Sequence, residues 1–171
     1  AAMALAQISG VSAEEIKVAM ASFGGVDRRF DFQLKNDKVV FLTDYAHHPE
    51  EIRQSVKSVC ELYEGRKIMG IFQPHLYTRT RDFYKEFADS LSLLDDVVLL
   101  DIYPAREEPI PGVTSRLIYD CLEEHVNKQM CRKEDLLEVL RRADADVFIL
   151  LGAGDAEACA PQITEVLKTR C

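Results

Sequence analysis

From residue 39 onward, strand-like apolar runs alternate with helical segments. That alternation predicts an α/β fold: a Rossmann-like, mostly parallel sheet with helices on both faces and right-handed crossovers. Val97-Val98-Leu99-Leu100-Asp101-Ile102 supports it, being nearly all apolar, as expected of a parallel strand covered on both faces. A third observation concerns polarity. The polar clusters Asp44-Tyr45-Ala46-His47, Gln73-Pro74-His75, Tyr103-Pro104-Ala105-Arg106 and Gly152-Ala153-Gly154-Asp155 each follow a strand-like run. In an open α/β sheet they fall on the rim at the carboxyl ends of the strands, where ligands bind.

The elements follow in order. Ala1 to Ala6 reads as the middle of a buried small-residue helix, with no initiator methionine and no charged leader, so the chain is expected to be a piece of a longer protein. Ser9-Gly10-Val11 is a break. Ser12 with Glu15 forms a capping box for a second helix carrying Ile16, Ala19, Met20 and Phe23, and Gly24-Gly25 stops it. Phe30 to Leu34 and Val39 to Leu42 flank the polar turn Lys35-Asn36-Asp37-Lys38 and predict a hairpin. Pro49 suits the first position of a helix, since its missing N–H would be unpaired there, and Ile52, Val56, Val59 and Tyr63 share a face. Glu50 and Glu51 sit in the first turn, where the helix dipole favours negative charge. A strand over 68–72, helices over 81–94, 115–126 and 136–142, a buried strand over 147–151 and a helix over 156–168 complete the pattern.

Composition bounds the function. The 171 residues suffice for one full domain, and 47% hydrophobic with 29% charged residues is ordinary for a globular fold. A net charge of −8 argues against a nucleic-acid surface yet leaves room for a local basic pocket. No window has the apolar length of a membrane span. Five dispersed cysteines, Cys60, Cys121, Cys131, Cys159 and Cys171, read as reduced thiols and have no zinc spacing.

Asp44-Tyr45-Ala46-His47-His48-Pro49-Glu50-Glu51 concentrates an acid, a phenol and two imidazoles in one strand-to-helix joint. His47, His48 and His75 do not predict a metal site: the adjacent pair points opposite ways if extended, and no acid-rich cluster accompanies it. Gln73 to Arg81 offers His75, Arg79 and Arg81 for gripping a carboxylate or phosphate, or else is a polar loop with surface arginines. Gly152-Ala153-Gly154-Asp155 is either half of a dinucleotide fingerprint lacking its third glycine or a tight strand-to-helix turn. The loop over 104–114, stiffened by Pro109 and Pro111, is either functional or a crossover linker. No Gly-x-x-x-x-Gly-Lys-Ser/Thr occurs, so if ATP is handled its phosphates are held elsewhere.

Gly25-Val26-Asp27-Arg28-Arg29-Phe30-Asp31, Asp44-Tyr45-Ala46-His47-His48-Pro49, Phe72-Gln73-Pro74-His75, the run from Asp101 to Gly112 and Gly152-Ala153-Gly154-Asp155 together resemble the Mur ligase family. The paired histidines and the Phe-Gln-Pro-His box resemble its L-alanine-adding branch. Residues 1–23 resemble the terminal helices of the family's central ATPase domain, and residues 24–171 its C-terminal domain. The resemblance implies a cytoplasmic enzyme of peptidoglycan synthesis, and so of cell-wall biogenesis, cell shape and division. Such an enzyme joins L-alanine to UDP-N-acetylmuramate through an acyl phosphate, using ATP and Mg²⁺. It also implies phosphate and metal ligands mainly in N-terminal and central domains outside this chain, hence no catalytic residue, no metal ligand and no activity in the chain alone. By resemblance Arg29 and Asp44 bind ATP, and Tyr45, His47, His75 and Arg79 face the amino acid and the muramyl substituent. Some relatives carry an arginine where this chain has Leu76, which places more of the carboxylate recognition on Arg79. A muramyl-peptide recycling ligase and a non-catalytic nucleotide-binding module are the alternatives.

Overall fold

Asn36 builds the predicted hairpin: its side-chain oxygen accepts the N–H groups of Lys38 and Val39, both at 2.9 Å. This turn sets β1 (Asp31–Lys35) antiparallel to β2 (Val40–Asp44). The computed structural model describes residues 2–170, so Ala1 and Cys171 lie outside the described residues. Beyond the hairpin come β3 (Ile68–Phe72), β4 (Asp96–Leu99), β5 (Asn127–Met130) and β6 (Val147–Leu151). They form one sheet of order β1-β2-β6-β3-β4-β5, parallel except for the β1–β2 pair.

Strand alternation sends successive side chains to opposite faces, and each face has its own helical cover. Val40, Leu42, Val97, Leu99 and Ile149 pack against α3 (Pro49–Leu62), α4 (Tyr77–Leu91) and α5 (Arg116–Cys121). Phe41, Met69, Ile71, Val98, Phe148 and Leu150 pack against α6 (Leu136–Arg142) and α7 (Ala160–Lys168). The helix after β6 therefore lies on the opposite face from those after β2 and β3. This opens crevices beside the end of β6, at the positions where open α/β sheets take ligands.

The structure departs from the sequence expectation in several places. Helix α4 starts at Tyr77 rather than Arg81, and Phe83 interrupts it with φ −126° and ψ 15°. Helix α5 ends at Cys121 rather than Val126, and residues 127–130, to which the sequence pattern assigns no element, form the edge strand β5. Its sequence Asn-Lys-Gln-Met lacks an apolar pattern; polar pairing holds it, with buried Asp96 accepting from Asn127 and lying 3.3 Å from Lys67 Nζ. The run over 97–102 leaves the sheet after Leu99, and a 3₁₀ turn, Ala156–Cys159, precedes α7. The first helices, α1 (Ala2–Ile8) and α2 (Ala13–Ala21), bury no residue, although the first was expected to be buried. Met3, Leu5, Ile8, Val18, Met20 and Phe23 are exposed along them and just beyond. The capping box of α2 forms as expected, Glu15 accepting the Ser12 N–H at 2.9 Å and Ser12 Oγ the Glu15 N–H at 3.3 Å.

The four described cysteines, Cys60, Cys121, Cys131 and Cys159, are free thiols. Burial pushes the Cys131 thiol up to about 11. No helix among the described residues is long and apolar enough to cross a membrane.

Candidate functional site

The joint from β2 to α3 is organised by Asp44. Its carboxylate accepts the Ala46 N–H at 2.9 Å, the Phe30 N–H at 3.2 Å and the Ser55 hydroxyl at 2.9 Å. The segment 28–30 is thereby strapped to the joint, with Arg28 and Phe30 held at φ 64° and 49°, a conformation such side chains rarely adopt. A carboxylate accepts about four hydrogen bonds, so Asp44 retains roughly one acceptor position for a ligand. Arg28 lies over the Tyr45 ring at 5.0 Å and pairs with Glu157, whereas Arg29 is exposed and among the described residues has no ion-pair partner.

His47 and His48 diverge, as extended backbone requires. His47 Nδ1 sits 2.9 Å from the Tyr45 carbonyl; a proton on Nδ1 completes that bond and leaves Nε2 free as an acceptor. His48 instead packs on Phe83, ring centroids 5.1 Å apart. Glu51 caps α3 by accepting the His47 and His48 N–H groups at 3.1 and 3.2 Å. Burial pushes the Glu51 carboxyl up, but these two bonds outweigh it and its value lies below the ordinary one.

The joint from β3 to α4 is built differently. Gln73, buried at the end of β3, donates to Asp155 at 2.9 Å and accepts the Ala156 N–H at 2.8 Å. It fills the glycine turn. A Cβ on Gly154 would sit 2.1 Å from Gln73 Oε1, and one on Gly152, at φ 128°, would sit 2.6 Å from the Gln73 carbonyl oxygen. Of the two readings of Gly152-Ala153-Gly154-Asp155, this geometry favours the tight turn, because the protein's own amide occupies the space a phosphate would need. Lys133 pairs with Asp155. The adjoining crevice, lined by Gln73, Tyr103, Lys133 and Asp155, has a volume of ≈ 200 Å³, below the roughly 300–1,000 Å³ of ordinary ligand pockets.

Beyond Gln73 the backbone of 74–76 pairs with the long loop: Tyr103 N–H donates to the Pro74 carbonyl at 2.8 Å and Leu76 N–H to the Tyr103 carbonyl at 3.0 Å. His75 then stacks on Tyr103, centroids 5.7 Å apart and planes 21° apart. The His47 ring centroid lies 6.2 Å from that of His75, and the Tyr45 ring 5.2 Å from His47. Arg79, one helical turn on, places Nη1 3.3 Å from His75 Nδ1. Burial, then the charges of Arg79 and His47, hold the His75 imidazole below its ordinary value, so the ring is neutral near pH 7 and Nδ1 accepts from Arg79.

Tyr45, His47, His75 and Arg79 thus form one continuous row across the two joints, with Asp44 directly preceding its first member in the chain. Arg29 stands outside the row. Sequence reasoning missed Glu107 and Lys133 as builders of the site. Glu107 carries a signal in its place on the proline-stiffened loop; Lys133 carries none. Among the described residues no group of three or more His, Cys, Asp or Glu side chains converges to hold a metal ion.

Comparison with known proteins identifies the family and the fold. The family model described as Mur ligase, glutamate ligase domain, matches residues 28–154. The chain is 65% identical over 170 residues to UDP-N-acetylmuramate–L-alanine ligase of Phocaeicola vulgatus, covering 99% of this chain and 37% of that protein. It is 54% identical over 172 residues to the enzyme of the same name from Porphyromonas gingivalis, covering 100% of this chain and 38% of the relative. It therefore spans somewhat over a third of the length of these relatives. Among solved structures, UDP-N-acetylmuramate-alanine ligase of Thermotoga maritima superimposes with a TM-score of 0.79 at 27% identity, covering 99% of this chain and 36% of that one. A murein peptide ligase of Psychrobacter arcticus matches with a TM-score of 0.68 at 19% identity, covering 97% and 35%, a likeness of fold alone.

Proposed function

The chain belongs to the Mur ligase family, and from that premise we propose that it is the C-terminal domain, residues 24–171, of a cytoplasmic UDP-N-acetylmuramate–L-alanine ligase. Residues 1–23 are then the last helices of the preceding ATPase domain, and their exposed apolar side chains are the surface that domain covers. The reaction activates the muramic carboxylate as an acyl phosphate at the expense of ATP, and the amine of L-alanine attacks it. The observation that carries the reading is the unbroken row of Tyr45, His47, His75 and Arg79 across two strand-to-helix joints.

Each residue has a task suited to its geometry. Arg29, exposed and without an ion-pair partner among the described residues, offers a planar fork to an anionic part of ATP, and Asp44 offers its remaining acceptor position to a ribose hydroxyl. Arg79 grips a substrate carboxylate, with neutral His75 behind it as an acceptor that fixes the guanidinium. His47 and Tyr45 present a polar edge to the amino acid and muramyl substituent. The glycine turn is occupied by Gln73, and phosphate and Mg²⁺ binding belong to the central domain of the full-length ligase.

The test is an assay of the full-length protein for ATP- and Mg²⁺-dependent ligation to UDP-N-acetylmuramate. L-alanine is offered against an alanine-containing peptide, with the 171-residue chain alone as control. L-alanine should be the acceptor and the chain alone should be inactive. Preference for the peptide would establish the recycling-ligase reading instead, and absence of any ligation the nucleotide-binding module.

A further inference from the structure

Helix α4 lacks a local cap. Leu76 stands at its N-cap with φ 74° and ψ 136°, no side-chain oxygen, and a backbone conformation unusual for a branched apolar residue. The first-turn N–H of Thr78 is satisfied from 29 residues further along the chain, by Glu107 Oε2 at 3.0 Å, and the Thr78 hydroxyl donates to the other oxygen of the same carboxylate at 2.5 Å. Glu107 is itself anchored: its N–H donates to the Pro104 carbonyl at 2.9 Å, next to Tyr103, whose ring and backbone grip His75, Pro74 and Leu76. Thr78 directly precedes Arg79.

We propose that Glu107 is a positioning residue: through Thr78 it fixes the first turn of α4, and so the placement of Arg79 against His75. The long loop is then part of the site's framework. The consequence for substrate binding rests on the ligand role proposed for Arg79; the placement itself does not, and the experiment separates the two.

The groups facing His75 are His47 from the β2–α3 joint, Arg79 from α4, and Tyr103 and Glu107 from the loop. Only Glu107 pulls the imidazole upward, against burial, Arg79 and His47. The Glu107 carboxyl is itself held below its ordinary value, chiefly by the Thr78 hydroxyl and then the Thr78 N–H.

The test is NMR on the 171-residue chain carrying Glu107→Ala, Glu107→Gln or Thr78→Val. Losing a charged hydrogen bond speeds local opening about ten- to a hundredfold, so Thr78 amide exchange should accelerate by that factor in Glu107→Ala. In the same variant the cross-peaks from Arg79 to His75 and from His75 to Tyr103 should weaken. Glu107→Gln keeps an acceptor and loses the charge: it should preserve those cross-peaks while the His75 titration moves down. Thr78→Val keeps the N–H bond and loses the hydroxyl, so the amide exchange at position 78 should fall between wild type and Glu107→Ala. Unchanged Thr78 exchange, cross-peaks and His75 titration in folded Glu107→Ala would overturn the proposal. If that variant does not fold, Glu107→Gln and Thr78→Val decide, and an unmoved His75 titration with wild-type exchange in both overturns it equally. None of these readouts involves a substrate, so the proposed ligase function can fail while this inference stands, and the reverse.

Discussion

The two strand-to-helix joints that hold the candidate site solve one problem in opposite ways. At β2–α3 nearly every constraint is local: Asp44 turns onto Ala46, Glu51 reaches back to His47 and His48, and Pro49 opens the helix. At β3–α4 the constraints come from far along the chain: Glu107 caps the helix, Tyr103 braces His75, and Asp155 with Ala156 holds Gln73. Local capping by Glu51 and Pro49 fixes most of the first joint's geometry within the joint itself, with Phe30 and Ser55 tied to it through Asp44. Remote capping makes the second a property of the assembled fold, so it responds to changes made elsewhere.

The largest expected effect lies in the remote joint. Gly152→Ala puts a methyl 2.6 Å from the Gln73 carbonyl oxygen at a backbone φ of 128°, and neither the strained backbone nor the clash relaxes cheaply, so it should cost about 3 kcal/mol or more in urea unfolding. A cost below about 1 kcal/mol would mean that Gln73 is not the fixed plug described here.

Next is Asp44→Ala, which strips the acceptor from two backbone N–H groups and a hydroxyl. It should destabilise the chain by about 2–4 kcal/mol in the same experiment. The sequence expectation treated Asp44 mainly as a ligand acceptor, so a fully stable variant would restore that simpler role.

Glu51→Ala, the local counterpart of the Glu107 variants, should cost about 1 kcal/mol, as capping losses do, and leave the His75 titration in place. A shift at His75 comparable to that in Glu107→Ala would erase the distinction between the joints.

The smallest effect is a pH dependence. His75 titrates below its ordinary value near 6.5 in the fold, so the unfolded chain takes the proton first, and stability falls as pH drops below about 6.5 toward the folded value. Thermal unfolding across that range should show a shallower decline for His75→Gln than for wild type. Identical slopes would contradict the burial of the imidazole.

The same contrast accounts for what was legible in the sequence. The parallel core strands are legible as continuous apolar runs, and the hairpin turn at Asn36, the Ser12–Glu15 box and the Pro49 helix start rest on interactions within a few residues. The start of α4 at Tyr77 was missed because its cap lies in another loop, and β5 because polar pairing to Asp96 holds an edge strand with no apolar pattern. Tyr45, His47, His75 and Arg79, singled out in the sequence by resemblance to the Mur ligases, lie next to one another because topology brings those strand ends to one rim. Glu107 and Lys133 act by supporting other residues, and a supporting role leaves little trace in spacing.

In the proposed function Arg79 grips a substrate carboxylate at this rim. The direct measurement is steady-state kinetics of Arg79→Lys in the full-length enzyme, varying ATP, L-alanine and UDP-N-acetylmuramate in turn. Lysine keeps the charge and loses the planar fork, so the KM for L-alanine or UDP-N-acetylmuramate should rise by about tenfold or more while that for ATP stays near wild type. Wild-type constants for both carbon substrates would contradict the account and leave Arg79 a surface charge at the start of a helix.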